Sequence, residues 1–357
     1  MKKLTFALVA LATSVACAEI TPPHSLWKNG DAGIKVYRIP ALCTAPNGDL
    51  VAACDARKNH GGDLNSNQPI NITIRRSTDN GKTWTSPENS YTWPWTETEH
   101  WAGSDPSFIV DKKAKKIFLF YNVWECINQG GIYKFYVQES SDNGKTWSKP
   151  RDITKDIAHK DWPFAPEKGF IFISSGSGIQ TKDGTLLHTI VWVAHGNLLF
   201  GSKDHGKTWE AVGNPTKGGD ECKVVELNDG TLMINSRQYY EKGSRLIHKS
   251  KDFGKSWESN KNTDLIDPRC NAQIMRYGEK ALLFSNCKSM GRDHVTVRTS
   301  LDEGATWNDG ILLCPEYSAY SDMTILKNGD IGVLYEATNR IDFRVITKDE
   351  IKKSIKK

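Results

Sequence analysis

An eight-residue pattern, Ser-x-Asp-x-Gly-x-Thr/Ser-Trp, recurs five times in this chain of 357 residues, at 77–84, 140–147, 202–209, 250–257 and 300–307. Successive starts are 63, 62, 48 and 50 residues apart. Self-similarity at such a period marks a repeated supersecondary unit, and the interval suits a four-stranded blade with its turns. Alternating stretches precede the pattern, as in Ile72-Thr73-Ile74-Arg75 and Val295-Thr296-Val297-Arg298, which is the period of a half-buried strand. Within the pattern the Asp can accept hydrogen bonds from the backbone of a turn, the Gly supplies a positive φ, and the Trp can cover the hairpin. Asp79, Asp142, Asp204, Asp252 and Asp302 are therefore read as structural. Further strands are expected at 116–121, 186–193, 224–227 and 281–284, with turns at Asp183-Gly184, Asp229-Gly230 and Asn328-Gly329. Strands before residue 77 and after residue 307 can share one closing blade. The expected fold is all-β, a six-bladed β-propeller, with the Lys/Ile-rich tail from Lys348 frayed or forming a short helix.

The rest of the sequence permits such a domain. Hydrophobic residues make up 38%, and 12 Trp and 11 Tyr suit repeated packing sites or a sugar-binding cleft. A net charge of +5 is modest, no Lys/Arg-rich tract stands out, and no nucleic-acid motif is present. Lys2 and Lys3 precede an apolar run at 4–15 and the small residues Ala16-Cys17-Ala18. That run is too short to span a membrane and reads as a signal peptide, 1–18, leaving 19–357 as one secreted or periplasmic domain. Cys17 leaves a second route open, cleavage before it and lipidation to an outer-membrane lipoprotein, although Ser14 stands where such a signal prefers Leu. Beyond the leader stand Cys43, Cys54, Cys126, Cys222, Cys270, Cys287 and Cys314. No pair has zinc or redox-motif spacing. Buried thiols are the simpler reading, with one disulfide left open.

With Tyr37-Arg38-Ile39-Pro40 added to the five repeats, the chain resembles the bacterial exo-α-sialidases, which carry Asp-boxes and an Arg-Ile-Pro motif. The resemblance covers nearly all of the mature chain. It implies that three arginines from different blades clamp the carboxylate of sialic acid. The physical need is plain, since guanidinium forks bind a carboxylate strongly and directionally. Arg38 and Arg237 match the first two, and Arg292 best matches the third, with Arg276 and Arg298 as alternatives. Arg76, Arg151 and Arg245 read as ordinary strand-end residues.

The same resemblance implies a tyrosine nucleophile. A carboxylate approaching this anomeric carbon would meet the substrate's own negative charge, whereas a neutral tyrosine avoids that repulsion but needs a base. Tyr320 matches the nucleophile and Glu221 the glutamate that polarises it, with Tyr317 and Glu226 as poorer candidates. Asp63, in the glycine-bearing loop 57–63, matches the acid/base residue, with Asp55 its competitor on charge. Arg57 is expected near the sugar ring, Asp105 on the N-acyl and O4 side, and Glu336 behind the first arginine. The segment 93–101, with three Trp, either overhangs the site or packs between blades. The implied activity is retaining hydrolysis of terminal sialic acid from glycoproteins, glycolipids or oligosaccharides by a monomer that needs no cofactor or metal. Transfer or release of an anhydro sugar, and a non-catalytic glycan-binding propeller, are the alternatives.

Overall fold

A computed structural model describes residues 22–125, 133–157, 170–262 and 264–356. The leader expected at 1–18 and Cys126 lie outside them. Six antiparallel blades surround a central axis. The first contains Val36–Thr44, Leu50–Arg57, Ile70–Ser77 and Glu88–Asn89. The second contains Trp101–Asp111, Lys116–Glu125, Lys134–Ser140 and Arg151–Asp152. The third is built on Leu186–Trp192, Gly196–Ser202 and Glu210–Val212, with its inner edge split between Ile171–Ile173 and Ile179–Gln180. The fourth comprises Cys222–Glu226, Leu232–Ser236, Arg245–Ser250 and Glu258–Asn262. The fifth runs Gln273–Tyr277, Ala281–Cys287, Asp293–Ser300 and then into Ile311–Ile325.

That last strand is long enough to serve two blades. Its first part pairs with Asp293–Ser300, and its second part with Ile331–Ala337. Arg340–Ile346 follows, and the outermost position is filled by His24–Lys28 from the other end of the chain. The expected sharing of a closing blade by the two ends is what the structure shows. The tail forms a helix, Lys348–Ile355, started by a capping box between Thr347 and Glu350.

The core lies between blades. Leu50, Tyr37 and Trp27 pack with Leu334 and Phe343 across the closing seam, and Val51 and Ile72 pack with Phe108 and Leu119 across the next. Corresponding clusters fill the other seams. Each repeat copy caps the turn from a blade's third strand to its fourth. In the first copy Ser77 Oγ donates to Asp79 Oδ1 (2.8 Å) and accepts from Gly81 N (2.8 Å), while Asp79 accepts from Thr83 N (2.9 Å) and Thr83 Oγ1 (2.6 Å). The same bonds recur in the other four. These aspartates are fully engaged in turns, as expected of structural residues.

Candidate active site

Strand direction decides which residues can meet. In each blade the innermost strand starts at one face of the propeller, the second strand returns to it, and the connection to the third lies on it. The repeat turns, after the third strand, lie on the opposite face. Arg38 and Asp105 stand early in innermost strands, Glu221 just before one, and Tyr320 at the start of the last blade. Arg57 and Glu336 end second strands, Arg237 follows one, and Asp63 and Arg292 lie in connections to third strands. All nine candidates therefore reach the same face.

Two inner strands are bent where they deliver a side chain. Pairing shifts between Arg38 and Ala41 and between Ser104 and Ser107, and Ile39 and Asp105 hold φ of 60° and 62°. The last blade's inner strand shifts register between Ser318 and Ser321, around Tyr320. Such bulges re-aim side chains at functional sites, and a β-branched residue at positive φ persists only when its surroundings hold it. For Ile39 the holder is Glu336, whose Oε1 accepts from Ile39 N at 2.8 Å.

The geometry centres on Tyr320, which is 8% exposed. Its hydroxyl donates to Glu221 Oε2 at 2.6 Å and accepts from Arg237 Nη1 at 3.1 Å. Arg237 Nη1 also meets Glu221 Oε2 at 2.5 Å, and its Nε donates to Asp220 Oδ2 at 3.0 Å. The guanidinium carbons of Arg38 and Arg292 lie 5.2 and 5.5 Å from the Tyr320 ring centre. Glu336 grips Arg38 as a fork, accepting from Nε at 3.1 Å and Nη2 at 3.2 Å, and its Oε2 also takes Tyr320 N at 3.4 Å. Arg38, Arg237, Arg292, Glu221, Tyr320 and Glu336 thus form one cluster, in which Glu336 steadies Arg38 as a bidentate pair and Glu221 and Asp220 together steady Arg237. Burial, and after it the Glu221 charge, pushes the Tyr320 phenol well above its ordinary value.

The alternatives to Arg292 are placed elsewhere. Arg276, late in an innermost strand, pairs with Glu303 of a repeat turn. Arg298 spends its fork on the carbonyls of Asn308, Asp264 and Trp307. Tyr317 is about half exposed, and Glu226 holds Lys182 N at the other face.

Asp63 stands at the rim, its side chain 73% exposed, with Oδ1 2.8 Å from Arg57 Nη1 and 3.8 Å from Arg38 Nη1. Arg57 does not lie open to a ligand as expected. Its side chain is buried and donates to Asp55 Oδ2, Gly61 O and Asp63 Oδ1, so in this structure it holds the Asp63 loop. Asp55 is fully buried and fastened by Arg57, Ser104 Oγ (2.5 Å) and Asp105 N (3.0 Å), which removes it from competition with Asp63. Asp105 accepts from Asn122 Nδ2 at 3.1 Å. Burial, then the charges of Asp55 and Glu221, raise its carboxyl well above the usual range. Asp220 was not among the sequence candidates. Its adjacency to Glu221 and charge opposite to Arg237 were its only signals.

The three-Trp segment packs. Trp93 stacks on Trp101 and meets Tyr91, Tyr121 and Tyr136 edge-on, between the first two blades. Cys43, Cys54, Cys222, Cys270, Cys287 and Cys314 are free and buried. A cavity of about 810 Å³ opens at the opposite mouth of the axis, lined by Thr44, Val110, Gln180, Glu226 and Arg276 among others. It shares no residue with the Tyr320 cluster. No helix among the described residues is long and apolar enough to cross a membrane.

Residues 48–333 match the BNR repeat-like domain family. A sialidase of Micromonospora viridifaciens is 34% identical over 93% of this chain and 56% of its own length. One from Bacteroides fragilis is 29% identical over 87% of this chain and 61% of its own. The chain thus spans little more than half the length of these two relatives. Among solved structures, the Hadza microbial sialidase Hz136 superposes with a TM-score of 0.83 at 30% identity, over 92% of this chain and 68% of that one.

Proposed function

The chain belongs to the sialidase family, and we propose that it is an exo-α-sialidase that hydrolyses terminal sialic acid from glycoproteins, glycolipids or oligosaccharides with retention of configuration. The observation that carries this reading is the Tyr320 hydroxyl held between Glu221 and Arg237, with the guanidinium groups of Arg38 and Arg292 beside its ring. Three convergent arginines suit the carboxylate that distinguishes this sugar, and a tyrosine suits attack on the carbon bearing it.

Arg38, Arg237 and Arg292 bind the substrate carboxylate and turn the anomeric carbon toward Tyr320. Burial keeps the phenol neutral until its proton passes to Glu221 along the 2.6 Å hydrogen bond. The phenolic oxygen then attacks the anomeric carbon, and Asp63 protonates the departing glycosidic oxygen. Water, deprotonated by Asp63, displaces the tyrosine, which recovers its proton from Glu221. Two inversions give net retention. Arg57 fixes Asp63, and Asp105 faces the N-acyl and O4 side of the ring. The enzyme acts as a monomer outside the inner membrane, in the periplasm or beyond.

A fluorinated sialoside, whose intermediate turns over slowly, is expected to label the Tyr320 oxygen, as read by peptide mapping. Tyr320→Phe is expected to lose turnover while retaining affinity for carboxylate inhibitors. Asp63→Ala should be hurt far more on natural linkages than on an activated aryl sialoside, whose leaving group needs little protonation. A stable adduct on another residue, or full activity in Tyr320→Phe, defeats the assignment. An inverted first product, seen by NMR before mutarotation, defeats retention.

A further inference from the structure

Arg269 lies on the active-site face, in the connection that runs between the fourth and fifth blades from Glu258–Asn262 to Gln273–Tyr277. Of the described arginines it alone donates no hydrogen bond and joins no ion pair, and its Nε is buried without a partner. Its guanidinium rests on the ring of Tyr239, 5.8 Å from the centre. Its backbone holds φ of 66°, which is costly for a residue with a side chain. The turn that imposes this is braced from within. Arg245 Nη1 donates to Asp267 Oδ2 at 3.1 Å and to Cys270 O at 2.9 Å. Cys270 N donates to Asp267 Oδ1 at 3.2 Å, and Gly243 N to Asp267 O at 2.7 Å. One contact between a cation and a ring near the surface returns less than such a backbone costs, so stacking on Tyr239 does not account for the arrangement.

Arg269 stands at the edge of the arginine clamp. Its carbonyl accepts from Arg292 Nη2 at 3.4 Å, and Tyr239 follows Arg237 by two residues. The surface around it is apolar and open. Tyr240 is 75% exposed and meets Tyr239 edge-on at 4.7 Å. Met290 is 52% exposed, and a Cβ on Gly243 would stand 3.6 Å from its Sδ, so the loops that follow the second strands of the two blades touch there. Exposed large apolar groups gathered at the rim of a site mark a binding surface. Asp267 spends its carboxylate on Arg245, and Glu241 is paired with Lys261. The position of a leaving group follows from the clamp. The anomeric carbon bears both the carboxylate and the glycosidic oxygen, so the sugar beyond that oxygen emerges beside the arginines, and Arg292 is the one that touches Arg269.

We propose that Arg269, with Tyr239, Tyr240 and Met290, forms a subsite for the sugar next to the scissile bond, and that it favours a sugar carrying an anionic group, either the carboxylate of a second sialic acid or a sulfate ester. This rests on the exo-α-sialidase reading and deepens it. The rings and the thioether cover the apolar face of that sugar, and the guanidinium fork takes its anion. A neutral sugar can use the rings but not the charge. Discrimination between anionic and neutral aglycones therefore falls to Arg269, and general affinity for the aglycone to Tyr240.

The test is kcat/KM for release of terminal sialic acid from α2,8-disialyllactose, from α2,3-sialyllactose sulfated on its galactose, and from unmodified α2,3-sialyllactose. The wild type, Arg269→Asn, Arg269→Lys and Tyr240→Ala are compared at low and high salt. Asparagine tolerates left-handed backbone, so Arg269→Asn removes the charge without adding strain. It should lose about tenfold or more on one or both anionic substrates and less than about threefold on the unmodified one. The substrate that suffers identifies the anion as carboxylate or sulfate. Arg269→Lys should keep part of the preference. Tyr240→Ala should lose about threefold or more on all three substrates. High salt should narrow the wild-type preference for the anionic substrate and leave the ratios of Arg269→Asn in place. A merely structural arginine would lower the melting temperature and all three rates alike. Equal losses on the three substrates in Arg269→Asn overturn the proposal. If Arg269→Asn does not fold, the wild-type salt dependence decides, and substrate ratios that ignore salt overturn it. A wild type that releases sialic acid from none of the three would instead fail the parent reading.

Discussion

Arg237 meets Glu221, the Tyr320 hydroxyl and Asp220 through a single guanidinium, and only a planar fork can do so. Lysine would keep the charge and lose that geometry. Arg237→Lys is therefore expected to weaken a sialic-acid-like carboxylate inhibitor by about 10- to 100-fold, the value of one or two charge-assisted hydrogen bonds. Arg276→Lys and Arg298→Lys should leave the inhibition constant unchanged, since their forks are engaged at the repeat-turn face or within a blade. Arg292→Lys should behave like Arg237→Lys. Equal inhibition constants for Arg237→Lys and the wild type would remove Arg237 from the clamp. Residue identities of this kind were partly legible. Arg38, Glu221, Arg237 and Tyr320 could be read because their order along the chain matched a known pattern. Asp220 could not, because it gains its partner only when the first two strands of its blade pair and bring Arg237 beside it. What holds Arg57 was hidden for a related reason. Sequence shows a guanidinium near a loop but not that Asp55, two residues away, has already drawn it inward.

The repeat turn was the most legible element, since its bonding is local. Ser, Asp, Gly and Thr close it within a few residues, and no long-range information is needed. Its relation to the neighbouring blade was not legible. A Cβ on Gly81 would collide with the ring of Phe343, and Trp84 meets that same ring edge-on at 5.1 Å, so the turn of the first blade is seated against the last. Gly81 also holds φ of 85°. Gly81→Ala is therefore expected to cost about 1–3 kcal/mol from backbone strain and overpacking together. Calorimetry should register the loss, while kcat and KM at 25 °C stay unchanged because the site lies on the opposite face. The turn carboxylates add a pH dependence. Hydrogen bonds, first from Thr83 to Asp79 and from Ser256 to Asp252, hold these carboxyls down to about 2. Their folded-state values lie below the unfolded value of about 3.9. Their contribution is thus fully present above pH 4 and is lost as pH falls through about 2. Asp79→Asn should flatten the fall in melting temperature between pH 4 and pH 2. A fall as steep as that of the wild type would show that the turn carboxylates do not drive it.

At the scale of the whole molecule, one face of the propeller carries the candidate chemistry and the other carries the repeat turns, so stability and function occupy separate ends of the same strands. What joins the ring is neither. His24–Lys28 pairs its backbone with Arg340–Ile346 of the last blade, while its side chains reach the first blade. Trp27 is 1% exposed, stands 6.5 Å from the Tyr37 ring, and lies beneath the Arg75 guanidinium at 5.8 Å. The closing seam therefore depends on a segment with no repeat pattern. Trp27→Ala is expected to cost about 3–5 kcal/mol, as for other fully buried tryptophans, and to lower the melting temperature by roughly 5–15 °C. Below that temperature activity should persist in part: Glu221 and Arg237 stand on a blade the substitution does not touch, whereas Tyr37, against which Trp27 packs, precedes Arg38 on its inner strand. Starting the chain at Asn29 should do more. It uncovers the edge of the last strand at 340–343, and an unpaired edge next to an exposed apolar seam is a template for association. Size-exclusion chromatography should then show oligomers, and thermal unfolding should lose its single sharp transition. A truncated chain that stays monomeric and melts like the wild type would mean that the five complete blades and the remaining three strands close the ring unaided.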